Sequence, residues 1–152
     1  MLIAPDPLAD HAIAAFLTAH LAQMHATSPR ESVHALDLDA LRAPGIHFLS
    51  ARDDAGRVLG CGALKDLGRG EGELKSMRTD PALRRQGIAS AILAQLLDHA
   101  RGLGMHRVSL ETGSQDFFAP ARALYERHGF TPCGPFGGYR PDPNSAFLTR
   151  SL

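Results

Sequence analysis

Arg84-Arg85-Gln86-Gly87-Ile88-Ala89 is the segment of this chain whose residue types and spacing point most directly to chemistry. It follows an extended run, Glu71 to Thr79, and opens a helix with one apolar stripe. A strand that passes through a glycine loop into a helix start gathers free backbone N–H groups onto one point, and the helix dipole adds positive potential there. Arg84 and Arg85 can add charge-assisted bonds to phosphate oxygens. The chemistry this predicts is the holding of a diphosphate. The loop lacks Gly-Lys-Ser/Thr and Gly-x-Gly-x-x-Gly, which disfavours ATP or NAD as its ligand.

Such a loop needs a strand before it and a packed helix after it, and the rest of the chain supplies the frame. Leu2 to Ala4 reads as an edge-like strand closed by Pro5 and Pro7. Ala9, Ile13, Phe16, Leu17, His20 and Met24 recur at helical spacing and predict a helix from Leu8 to about Ala26, with Asp6 or Asp10 at its start. Ser32 to Ala43 reads as a second, short helix around Leu38 and Leu41. Ile46 to Arg52, Val58 to Leu67 and Glu71 to Thr79 then form an antiparallel meander, its first turn at Asp53-Asp54-Ala55-Gly56. After the loop, Ile88, Ile92, Leu93, Leu96, Leu97 and Ala100 make the helix stripe, and Gly102 and Gly104 are its stops. Val108 to Thr112 returns parallel to the strand before the helix. A helix over Phe117 to Arg127, ended by Gly129, and a last strand over Ala146 to Leu152 complete the order. That order predicts an α/β (α+β) fold, one mixed sheet flanked by helices.

Bulk composition narrows the function classes. The 152 residues suit one domain, 1–152, and basic and acidic residues balance at 16 each. The balance argues against nucleic-acid or anionic-membrane partners. Cys61 and Cys133 have no metal-like spacing, and the histidines show no H-x-x-x-H or His/Cys pattern, so no metal is expected. MLIAPDPLAD lacks a basic n-region and a long apolar run, so the expected compartment is the cytoplasm.

At this point the residues resemble a family, the GNAT superfamily of acyl-CoA-dependent N-acyltransferases. Its pyrophosphate loop, Gln/Arg-x-x-Gly-x-Gly/Ala, is matched by Arg84, Gly87 and Ala89, and Leu124-Tyr125-x-x-x-Gly129-Phe130 is similar to a second signature. The segments SLETGS, FAPARALYE and DPNSAF resemble a bacterial, mostly uncharacterised subgroup. One departure stands out: where the family often carries an Asn that touches the cofactor, seven residues before the tyrosine, this chain has Phe118.

The resemblance implies a mostly antiparallel sheet with a V-shaped split between its central parallel strands, and acetyl-CoA as co-substrate. Free backbone groups of Met77 and Thr79 would pair with the pantetheine arm, with Arg78 between them. Arg84, Arg85, Gln86, Gly87, Ile88 and Ala89 would hold the diphosphate, Gly87 letting the backbone approach closely. Tyr125 is the candidate general acid for the departing thiolate, since a phenol near pKa ~10 stays protonated at neutral pH. Glu73 is the candidate base, directly or through water; paired only with Lys75, it would instead be structural. Strand alternation puts Glu71, Glu73, Lys75 and Met77 on one face unless a bulge intervenes. Glu111 is the competing base or a substrate anchor, and Lys75 and Tyr139 belong to the acceptor side. Cations together with carboxylates suit an amino acid or similar zwitterion. The implied activity is acetyl transfer to a primary amine of a small molecule by direct attack in a ternary complex. The alternative is a non-catalytic acyl-CoA-binding or sensor domain on the same fold. Similar proteins commonly form homodimers through the C-terminal strands.

Overall fold

The computed structural model describes residues 1–33 and 37–152. Seven strands form one sheet in the order β1-β2-β3-β4-β5-β7-β6, with β1 Leu2–Pro5, β2 Ile46–Arg52, β3 Val58–Gly68, β4 Glu71–Thr79, β5 Arg107–Gly113, β6 Thr131–Pro132 and β7 Ser145–Ser151. Every neighbouring pair is antiparallel except β4 and β5. The meander β2-β3-β4 turns first at Asp53, whose carboxylate accepts from the N–H groups of Ala55 and Arg57 at 3.0 and 2.9 Å.

Helices cover both faces. On one face α3, Ile88–Gly102, buries Ile88, Ile92, Leu93, Leu96, Leu97 and Ala100, together with Tyr125 of α4, Ala119–Arg127. On the other, α1, His11–Thr27, packs Ile13 and Leu17 with Leu41 of α2, Leu38–Leu41, against Phe48, Val58, Cys61 and Ala63. A Cβ at Gly62 would lie 2.5 Å from Met77 Sδ and 2.8 Å from Leu96 Cδ1, so the missing side chain lets α3 sit close over β3 and β4. Among the described residues no helix is long and apolar enough to cross a membrane.

Most element boundaries match the sequence reading. The first helix begins at His11 rather than Leu8, because Asp10, not Asp6, caps it by accepting from Ile13 N at 3.0 Å. The helix expected over Phe117 to Arg127 opens as a 3-10 turn, Asp116–Phe118, and becomes α-helical at Ala119 with Pro120 in its first turn. Of the helix expected over Ser32 to Ala43, the structure shows Leu38–Leu41; positions 34–36 lie outside the described residues.

Two features of β4 create the cleft. Its parallel pairing with β5 runs from Glu71 opposite Arg107 to Leu74 opposite Leu110 and stops there, although β4 continues to Thr79 and β5 to Gly113. Past that point β4 stays paired with β3 and β5 with β7, so their inner edges part in the expected V. The second feature is a bulge opposite Cys61–Ala63, with Ser76 at φ +56°. It breaks the alternation: Glu73 and Lys75 share one face, while Met77 joins Leu74 against α3 and Arg78 turns toward α1. Met77 is therefore not on the Glu73 face, because the bulge inserts a residue between them.

Candidate active site

The loop after β4 is built to leave donors free. Asp80 accepts from Ala82 N at 2.9 Å and starts the 3-10 turn Pro81–Leu83, while Arg57 holds its other oxygen at 2.6 Å. Arg85 then takes φ +64° and Gly87 φ +80°, and α3 begins at Ile88 with no side-chain cap on its first N–H groups. Alternating hand along a short run points successive peptide N–H groups into one concavity, and an uncapped helix start lies beside it. A Cβ at Gly87 would meet nothing within 4 Å, so the left-handed backbone, rather than crowding, is what calls for glycine there.

The inner edge of β4 leads from this loop into the split. Asp80 N donates to Leu59 O on β3 at 2.9 Å, and alternation then turns the peptide group of Thr79 the other way, toward the split. The Met77 side chain packs against the core beside α3, which leaves only its backbone along this edge.

A cleft of about 430 Å³ runs from the loop along the split, and every candidate residue named from the sequence lines it. Tyr125 sits at the α4 wall, 6 % exposed, its ring edge-on to Phe130 at 5.8 Å. Burial pushes its hydroxyl well above the ordinary phenol range, so the proton stays on the oxygen at any working pH. Facing it from the sheet is a buried cluster that the sequence did not assemble. Tyr139 donates a short hydrogen bond to Glu73 Oε2, Lys75 Nζ lies 3.2 Å from that same oxygen, and Lys75 also donates to the Tyr139 hydroxyl at 2.9 Å. Glu73 is only 4 % exposed. Burial, then the hydrogen bond to Glu73, raises the Tyr139 hydroxyl, so it acts as a donor. Glu73 is thus both paired with Lys75, as the structural alternative required, and open to the cleft. Glu111, on β5 beyond the last parallel pair, accepts from Ser145 Oγ at 2.6 Å.

The wall opposite belongs to α1. His20, Gln23 and Met24 line the cleft, and Arg78 reaches them with a hydrogen bond to Gln23 and its guanidinium 5.5 Å from the Phe16 ring centroid. Arg78 thus presents its side chain to α1, and only its backbone lies along the strand edge. Burial, then Arg78, pushes His20 down to about 4. Sequence reasoning passed over His20 and Gln23, because a polar residue inside a helix stripe gives no sign of which cavity it will face. Phe117, which lies 5.9 Å from the Arg84 guanidinium, and Ser76 at the bulge were missed because a turn aromatic and a strand serine carry no sign of the tertiary fold around them. Phe118, at the position where the family carries Asn, fills the space over Gly113, where a Cβ would lie 2.1 Å from its ring. Among the described residues no cluster of three or more His, Cys, Asp or Glu is placed to hold a metal.

The chain has counterparts among known proteins. The chain is 45 % identical over its full length to the full-length uncharacterised N-acetyltransferase YsnE of Bacillus subtilis. It is also 44 % identical to an IAA acetyltransferase of Azospirillum brasilense over 82 % of this chain and 80 % of that one. Among solved structures, a Klebsiella pneumoniae protein assigned as an acyl-CoA N-acyltransferase superposes with TM-score 0.81 at 30 % identity, covering 99 % of this chain and 97 % of that one. An aminoglycoside 6'-N-acetyltransferase complexed with coenzyme A shares the fold, with TM-score 0.75 at 13 % identity over 99 % and 97 % of the two chains. The model of the acetyltransferase (GNAT) family matches residues 13–130, which hold the bulged strand, the left-handed loop, α3 and the tyrosine of α4. With loop, split and tyrosine in one cleft and that match across them, this chain belongs to the acetyltransferase (GNAT) family and is an N-acetyltransferase.

Proposed function

We propose that this enzyme moves an acetyl group from acetyl-CoA to the primary amine of a small molecule by direct attack within a ternary complex. The observation that carries this reading is the continuity of one cleft, from the uncapped loop at Arg85–Gly87, past the free edge of β4, to Tyr125 and the Glu73 cluster. The residues present suit a long diphosphate-bearing thioester. Arg84, Arg85 and the N–H groups from Gln86 to Ala89 would hold its diphosphate, and the peptide groups of Met77 and Thr79 its extended arm. Acetyl-CoA, when bound, supplies an acetyl group activated as a thioester.

The chain's own groups do the rest. Tyr125 holds a proton at its hydroxyl inside the cleft, in position to neutralise a developing thiolate. Glu73 is the base, directly or through a water. Tyr139 and Lys75 anchor its Oε2 and fix the orientation of the carboxylate. Glu111 anchors the acceptor from the β5 side.

The test is CoA release from acetyl-CoA across a panel of primary amines, followed by mass detection of the N-acetyl product. Turnover with one or more small amines supports the reading. Tight acetyl-CoA binding with no turnover across the panel would instead leave a sensor domain on the same fold.

A further inference from the structure

Buried polar side-chain atoms nearly always find a partner, because an unpaired one bears its full desolvation cost. Among the described residues three lack one: Ser76 Oγ, Arg78 Nε and Gln115 Oε1. Gln115 lies away from the cleft, beside Ser28 and Asn144. Ser76 and Arg78 stand together on the bulged end of β4, and both line the cleft. Ser76 is only 8 % exposed, and its φ of +56° departs from the strand to place it there.

Among the described residues Arg78 makes no ion pair. Among the described residues its one side-chain hydrogen bond runs from Nη1 to Gln23 Oε1, and Nε has no partner. No carboxylate among the described residues pairs with it, and Asp80, two positions on, is taken by Arg57. His20, next to it, is neutral above about pH 4 and brings no negative charge. The Nε–Nη2 edge is one that a carboxylate meets with two parallel hydrogen bonds, and a serine hydroxyl beside it can add a third.

We propose that Ser76 and Arg78 form a carboxylate subsite, and that this subsite takes the carboxylate of the amine acceptor. The substrates are then amino acids or other amino-carboxylates rather than plain amines. The ammonium end of such a molecule faces Glu73 and Glu111, the carboxylates that line the same cleft. The word acceptor rests on the transferase reading above; the subsite does not. A donor whose acyl group ends in a carboxylate would present the same chemistry, so the two sources need separate arms.

In the first arm the full chain, saturated with CoA, is titrated calorimetrically with matched pairs: L-leucine against isoamylamine, and L-phenylalanine against phenethylamine. The expected result is tighter binding of the amino acids by roughly ten- to a hundredfold. That ratio should collapse toward one in Arg78→Met, fall by about tenfold in Ser76→Ala, and recover in part in Arg78→Lys, which keeps charge and loses the fork. Equal or weaker binding of the amino acids by the unmodified chain overturns the proposal. So does an unchanged ratio in Ser76→Ala and Arg78→Met, each shown folded by its melting transition. If Arg78 merely ties α1 to the sheet, its loss lowers the melting temperature and leaves the ratio alone.

In the second arm acetyl-CoA and succinyl-CoA are compared as donors to isoamylamine. A preference for succinyl-CoA that disappears in Arg78→Met places the carboxylate on the donor and overturns its assignment to the acceptor. Failure of the transferase reading looks different: the amino-acid preference persists in calorimetry while no acceptor releases CoA.

Discussion

At the scale of single residues, the proposed chemistry depends on two hydroxyls and one carboxylate held out of water. Among the described residues Tyr125 has no hydrogen bond that would fix its hydroxyl to the protein, only its ring packed on Phe130. Tyr125→Phe therefore keeps the packing and removes one proton. Turnover should fall by about 10² or more, the usual worth of a general acid, and steady-state kinetics against acetyl-CoA affinity measure it. Unchanged turnover would remove Tyr125 from the mechanism. His20 supplies a pH dependence. Its folded value of about 4 lies below the unfolded value near ~6.5, so the unfolded chain takes up this proton first. The stability owed to neutral His20 is whole above pH ~6.5 and is lost as pH falls toward 4, a change of about 3 kcal/mol. Burial depresses His99 and His128 as well, in the same direction. Denaturant melts of His20→Gln beside the unmodified chain at pH 7.5 and 5 isolate the His20 share, and the gap between the two proteins should shift in favour of the variant at the lower pH.

At the scale of elements, the loop and the strand end carry conformations that their residues must support. Gly87 at φ +80° has open space around it, so Gly87→Ala introduces backbone strain and no clash, about 1–2 kcal/mol by denaturant midpoint. Gly113 is the opposite case. A Cβ there would meet Phe118 at 2.1 Å, so Gly113→Ala overpacks the start of the α4 region and should lower stability by about 1–3 kcal/mol. Adding Phe118→Leu to that variant should return part of the loss, because the two positions share one volume. A double-mutant cycle that comes out additive would show that the ring moves aside freely. The pair also shows what stands where the family often carries Asn: a ring packed on Gly113.

At the scale of the whole molecule, the cleft lies where four elements meet. β4 and β5 part, α1 closes one side, and α4 closes the other. Ligand that binds only the folded chain must then stabilise all of it. CoA at a hundred times its Kd should contribute about 2.7 kcal/mol, which for a chain of this size raises Tm by roughly 5–10 °C. ATP at the same concentration should give much less, since it brings a phosphate chain for the loop and no arm for the edge of β4. A larger shift with ATP than with CoA would overturn the assignment of the cleft.

By itself the sequence determined most of the elements and the strand–loop–helix order that frames one end of the cleft. Local periodicity, turn residues and the Arg84–Ala89 spacing are short-range properties, and they suffice to place a strand, a left-handed loop and a striped helix in order. The meander and the helix after the loop came out with nearly the same bounds for that reason. The gathering of Glu73, Lys75 and Tyr139 into one cluster was decided by tertiary structure. Tyr139 lies 66 residues from Glu73 in the chain, and only the pairing of β5 with β7 carries its loop back over β4. The bulge at Ser76 likewise has no signature in residue type, yet it sends Met77 into the core and Arg78 to the α1 wall. A one-residue slip in a strand exchanges the faces of everything beyond it, and the packing of α1 and α3 on the two sides of the sheet is what selects where the slip occurs.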